Sequence, residues 1–366
     1  MPDLNGGMRA AGTATQLTQL RRTSNGVLLC NTDEPAPDGS VVIAPPPSIT
    51  TSGGASQDLR NVPNHLLGIS IAGLVVFMAK YADNVLDQVK ARKVREWEEI
   101  TDYTQKVPAE LFEKYSTRLS ELDAEKDGGG YDVMYAMEAV GALHGRKALV
   151  EILRDDNGGC DENGAYTVGK VTHFVSWWMN YSLSAVLEML KGYAQAAGTD
   201  CFFYLNVTAL RQPATENETL PGEGFQQMLG RLFEESVAAA GHTIFLIDNF
   251  GDPGALKRAW CLWEIFHTVK AGAKFEVVMS VSQQAAFVQA LTCDYGSIQI
   301  LLSAINVKKA TAFNEDDLRM IMDHIEEEVG FDKLNQMIDG EIRGWVTTTA
   351  NAALAAVPQE ERATGV

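Results

Sequence analysis

Lys170-Val171-Thr172-His173-Phe174-Val175-Ser176-Trp177-Trp178 is a short apolar, β-branched run, bounded by Gly169 and Asn180. Such a run between turn residues reads as a buried strand. Residues 181–197 follow with Leu183, Val186, Leu187 and Leu190 on one helical face. Cys201 to Val207 is a second run, continuous in its apolarity, so Asn206 is expected inside a strand. A polar loop, 211–224, precedes a helix carrying Phe225, Met228, Leu232 and Phe233. Residues 242–247 and 275–279 supply a third and a fourth strand, and 298–307 fits either a fifth strand or another helix.

Strands that alternate with helices build parallel βαβ units. Strands apolar on both sides need cover on both faces. The expected fold is therefore α/β: a flavodoxin-like parallel sheet with helices on both faces, preceded by a helical N-terminal region. In such sheets ligands lie beyond the carboxyl ends of the strands. Ser176-Trp177-Trp178, Asn206-Val207-Thr208 and Asp248-Asn249-Phe250 should then converge on one edge.

Upstream the character changes. Residues 1–61 are rich in Gly, Ser, Thr, Pro and Ala, a composition that buries too little apolar surface to order a chain, and they read as a disordered tail. Residues 62–157 read as helical, with one helix opening at Pro108 and another running from Tyr131 to about Leu153. The uncharged run 66–79 is shorter than the ~20 residues of a membrane span and reads as a buried helix, with membrane contact the lesser alternative. The α/β domain is expected over 165–310, two packed helices over 311–357 and a frayed tail over 358–366.

The formal net charge of −18 argues against nucleic acid as a partner, because phosphate binding needs a concentrated basic surface. The cysteines Cys30, Cys160, Cys201, Cys261 and Cys293 form no C-x-x-C pair and have no His at zinc-ligand spacing. No metal or cofactor is expected. Scattered free thiols suit a reducing, cytoplasmic setting. The chain has neither a phosphate-loop motif nor a G-x-S-x-G elbow, and Gly222-x-Gly224 is too short for a dinucleotide fingerprint.

The chemistry concentrates in the helix expected to start at Asp252-Pro253. Ala259, Leu262, Trp263 and Phe266 form its apolar face, while Trp260, Glu264 and His267 form a second stripe. Glu264 would sit between an indole and an imidazole, with partial burial raising its pKa. Periodicity alone makes this helix a packing element with one oddly placed carboxylate.

Trp260-Cys261-Leu262-Trp263-Glu264-Ile265 resembles the W-C-x-x-E-L helix of Toll/interleukin receptor (TIR) domains, and His173-Phe174-Val175-Ser176-Trp177 resembles their first strand. The likeness covers roughly residues 171–306. More specifically, Thr172 to Ser176 and Asp252 to Glu264 resemble TIR-like regions of uncharacterised algal and protist proteins. The resemblance implies that Glu264 is the catalytic carboxylate of a NAD-cleaving domain, with NAD as substrate. Ser176, Trp177, Asn206, Asp248 and Trp260 are the candidate substrate-binding residues. The family's usual acidic residue near the first strand is replaced here by Trp177-Trp178-Met179. Many TIR domains are adaptors, so the resemblance equally implies a non-catalytic module that self-associates or binds other TIR-like domains. A small-molecule binding protein of the same fold ranks third.

Overall fold

The computed structural model describes residues 20–22, 28–30, 58–104, 129–214, 218–221, 224–293, 295–303 and 305–356. Its strands are β1 (Leu20–Arg22), β2 (Leu28–Cys30), β3 (Leu67–Ile69), β4 (Val168–Lys170), β5 (His173–Ser176), β6 (Phe203–Tyr204), β7 (His242–Leu246) and β8 (Lys274–Val278). The helices are α1 (Ile71–Thr104), α2 (Gly130–Leu143), α3 (Leu149–Asp155), α4 (Leu183–Ala197), α5 (Asn206–Ala209), α6 (Phe225–Ala240), α7 (Ala259–Lys270), α8 (Val281–Cys293), α9 (Tyr295–Ser303), α10 (Glu315–Glu328) and α11 (Phe331–Ala356). The helix expected from Pro108, most of the tail expected over 1–61 and the tail over 358–366 lie outside the described residues. Within that first stretch β1 and β2 pair antiparallel, which the composition did not anticipate.

Six strands form one sheet in the order β4-β3-β6-β5-β7-β8. The four strands β6-β5-β7-β8 are mutually parallel. Numbered along the chain, they stand in the order 2-1-3-4, as in the first four strands of a flavodoxin-like sheet. The α/β class is as expected, but the sheet is mixed: β3 and β4 extend it with antiparallel pairing.

The apolar run 66–79 divides. Leu67–Ile69 pairs with β4 on one side and β6 on the other, and helix begins only after Ser70. Ser70 Oγ accepts the Gly73 N–H and donates to the Tyr166 carbonyl, so this residue caps α1 and ties it to the sheet. A strand from ahead of residue 165 thus completes the sheet. Among the described residues no helix is long and apolar enough to cross a membrane.

Other expectations need correction. The strand expected over 170–178 is shorter, β5 at His173–Ser176, because Lys170 still belongs to β4, antiparallel to β3, and the chain re-enters as β5, parallel to β6. The helix expected over 131–153 breaks at Gly145 and Arg146, both in the left-handed region. Asn206 stands in the first turn of a short helix rather than in a strand. Asp252-Pro253 leads into a 3-10 turn, Gly254–Lys257, and α7 starts only at Ala259. Of the two alternatives left for 298–307, the structure gives helix over the first part, as α9.

The two faces of β5 carry different layers. Phe174 stacks on Tyr204 at 4.9 Å and meets Phe233 of α6 edge-on, so α6 lies over this face. Helix α7 joins it there, through a hydrogen bond from Thr268 to Thr243 on β7. On the opposite face His173 and Phe203 pack against Tyr193 of α4. Alternation along each strand thus sends neighbouring side chains into separate cores.

Candidate functional site

Ser176 closes β5 on the face covered by α7, which carries Glu264. The Ser176 hydroxyl donates to Glu264 Oε2 at 2.6 Å. Glu264 is 8% exposed, and among the described residues no Arg, Lys or His pairs with it. Burial pushes its pKa up to about 8, and the hydrogen bond from Ser176 opposes that rise only in part. At neutral pH the group is therefore mainly the uncharged acid.

The neighbouring residues hold this pair in place. Trp177 Nε1 donates to Asn206 Oδ1 at 3.3 Å, joining the ends of β5 and β6. The Cys261 thiol donates to the Trp177 carbonyl at 3.5 Å, joining β5 to the first turn of α7. Burial pushes the Cys261 thiol well up, so it is a protonated packing group and not a nucleophile. Gly130 and Gly254 give the two indoles room: a methyl on Gly130 would overlap the Trp177 ring, and one on Gly254 the Trp178 ring.

Asp248, just beyond β7, is half-buried, and burial raises its pKa against the lowering effect of a hydrogen bond from Tyr181. The Tyr181 hydroxyl also accepts the Ala255 N–H at 3.2 Å. Tyr181 is thus a member of the site that sequence reasoning missed. The available signal was its spacing three residues after Trp178, whose ring it meets edge-on at 5.8 Å.

The structure therefore brings Ser176, Trp177, Asn206 and Glu264 into one connected set, with Asp248 attached to the same edge through Tyr181. Trp260 stands apart. It packs edge-on against Phe233 of α6 and hydrogen-bonds Asp317 on α10. His267 packs against Trp263 and Phe266, and among the described residues neither ring nitrogen has a hydrogen-bond partner, Nδ1 lying 3.8 Å from Glu234 Oε1. The hydrogen bond of the Glu264 carboxyl runs across to Ser176 on the sheet.

A groove of about 680 Å³ lies elsewhere, between α4 and α11 beside β8. No residue of the Glu264 set lines it. Among the described residues no group of three or more His, Cys, Asp and Glu could hold a metal ion. Comparisons with protein-family models, with curated proteins and with solved structures return no match to this chain.

Proposed function

We propose that this chain is a TIR-like signalling protein in which Glu264 acts on the nicotinamide–ribose bond of NAD. The supporting observation is the Glu264–Ser176 pair: a buried carboxyl that, among the described residues, has one hydrogen bond and no countercharge, with a pKa raised to about 8. It lies at the carboxyl edge of the parallel strands, where sheets of this class bind ligands. A buried acid shifted by desolvation at such an edge is a candidate for chemistry.

The substrate itself supplies the missing charge. The nicotinamide ring of NAD is a cationic pyridinium, and its approach favours loss of the Glu264 proton to water. The resulting carboxylate stabilises the positive charge that builds on the ribose as the C1′–N bond breaks. The bond's electron pair leaves with nicotinamide, which becomes neutral. Water then adds to C1′ and releases a proton. Ser176 holds the carboxyl through Oε2, and Trp177, fixed by Asn206, lines the approach.

The test is release of free nicotinamide from NAD by the purified chain, in dilute solution and in crowded assemblies. The reading holds if turnover is seen and Glu264→Gln, folded as judged by circular dichroism, loses it at least 100-fold. A wild-type chain inert under all of these conditions overturns it.

The 8% exposure of Glu264 favours a second reading, a non-catalytic TIR-like module that self-associates or binds other TIR-like domains. There the Glu264–Ser176 bond only clamps α7 to β5. Self-association that persists in Glu264→Gln, with no turnover in either form, is the outcome that selects it.

A further inference from the structure

The first turn of α2 lies against the segment that leaves β5. Gly130 N–H bonds the Met179 carbonyl at 2.7 Å, and Gly129 forms an antiparallel bridge with Ser182. Both contacts fall just past Ser176, the last residue of β5. A methyl on Gly130 would come within 2.5 Å of the Trp177 ring and 3.1 Å of Met179 Cα. Glycine alone lets the helix start this close to the indole. One residue on, Tyr131 meets Phe313 at 5.1 Å and lies within electrostatic reach of Arg258 and Cys261, at the head of α7. The start of α2 thus reaches from the end of β5 to the first turn of α7, the two elements that carry Ser176 and Glu264.

The rest of α2 is anchored elsewhere. Val133, Ala136, Met137 and Val140 are buried, and the helix packs on α1 and α5. The buried Asp132 carboxylate accepts two hydrogen bonds from Arg92 of α1, both at 3.1 Å, and one from Gly129 N–H at 3.0 Å. One carboxylate therefore ties the first turn of α2 to α1. The turn itself follows Gly128-Gly129 and opens with Gly130, and glycine is the weakest helix former after proline. Segments that gate ligand sites are drawn from such low-stability parts of a fold.

We propose, resting on the NAD-cleaving reading of Glu264, that the first turn of α2 is an autoinhibitory cover that closes the Glu264 edge and lifts to admit the substrate. Closed, it holds Trp177 beneath Gly130 and leaves Ser176 and Glu264 buried. Lifted, it frees the Trp177 ring and opens the way to the Cys261 thiol, which donates to the Trp177 carbonyl.

The test uses the full chain and two variants that loosen the cover in different ways. Gly130→Val pushes it off the Trp177 ring, and Asp132→Ala unties it from α1 with no added bulk. Opening is read without NAD, from the rate at which N-ethylmaleimide labels Cys261, with Cys201 as the reference. Cys201 is also buried but precedes β6, at the opposite end of the parallel strands. The expected result in both variants is labelling of Cys261 at least tenfold faster with Cys201 unchanged, and nicotinamide release at least tenfold faster. Cys261 labelling at the wild-type rate in either variant overturns the proposal. So does an equal rise at both cysteines, which would make this turn part of the common core. Selective labelling with unchanged release, in a chain whose wild type cleaves NAD, overturns it too. Selective labelling with no release from any form upholds the cover and overturns the NAD reading instead.

Discussion

His173 and Ser176 stand three residues apart on one strand and face opposite layers, and each layer buries an ionisable group that is uncharged at neutral pH. On the α4 side, burial lowers His173 to about 4, with the neighbouring His242 adding to the fall. Both of its ring nitrogens are engaged: Nδ1 lies 2.8 Å from Thr172 Oγ1 and Nε2 lies 3.2 Å from the Tyr193 hydroxyl. On the α7 side, burial raises Glu264 to about 8, and among the described residues only one hydrogen bond reaches it. A buried imidazole with both nitrogens satisfied has a complete structural role. The carboxyl has hydrogen-bonding capacity to spare, at the carboxyl edge of the strands, where open α/β sheets in general bind ligands. Equal burial thus leaves one group finished and the other available.

The largest test of this difference is the pH dependence of stability. The folded-state pKa of Glu264 lies above its ordinary 4.5, so the folded chain holds the extra proton between pH 4.5 and 8. Stability is then full below 4.5 and falls as pH rises toward 8, by on the order of 4 kcal/mol. His173 and His267, both lowered from 6.5 to about 4, act with the opposite sign. Their contribution is full above 6.5 and is lost as pH falls toward 4. Urea titrations across pH 4–9 should show both limbs, and Glu264→Gln should flatten only the alkaline one. An unchanged alkaline slope in that variant would mean that Glu264 is ionised in the folded chain.

Next in size, on the proposed NAD-cleaving reading, is a loss of nicotinamide release in Glu264→Gln of at least 100-fold in kcat/KM, which corresponds to about 2.7 kcal/mol of transition-state stabilisation. Ser176→Ala removes the one hydrogen bond that reaches the buried acid among the described residues. It should cost about 1–3 kcal/mol and move the alkaline limb to higher pH, measured by the same urea series. Asn206→Ala frees the Trp177 indole and should cost about 1 kcal/mol, with a KM effect larger than any kcat effect. The smallest change is expected for Trp260→Phe. It loses only the half-buried bond to Asp317 and should leave turnover within about twofold, with a stability change below about 1 kcal/mol. A large loss of turnover there would return Trp260 to the site.

Much of the parallel sheet was legible. The strands around His173, Thr243 and Val277 are buried runs between turn residues, and α7 shows its buried face in the spacing of Ala259, Leu262 and Phe266. Less was legible where one apolar run suits two states. Leu67–Ile69 continues into helix, and nothing local distinguishes it. Its extended form comes from pairing with Val168–Lys170 and Phe203, far along the chain. Asn206 was misread because the apolar run continues past the end of β6 into the turn of α5. In the site, convergence of the three strand ends followed from topology, whereas Tyr181 and the departure of Trp260 toward Asp317 depend on loop and helix packing.

For the W-C-L-W-E helix, residue order alone determined a helix with a buried face and a carboxylate one turn past Trp260, because a 3.6-residue repeat is a local property of the chain. Its partner and its charge were not local. Ser176 lies 88 residues away in sequence, and it meets Glu264 only because α7 crosses the end of β5. The pKa near 8 arises because the layers around Glu264 exclude water without bringing in a cation. Desolvation belongs to the packed assembly of segments, so only the tertiary structure could decide it.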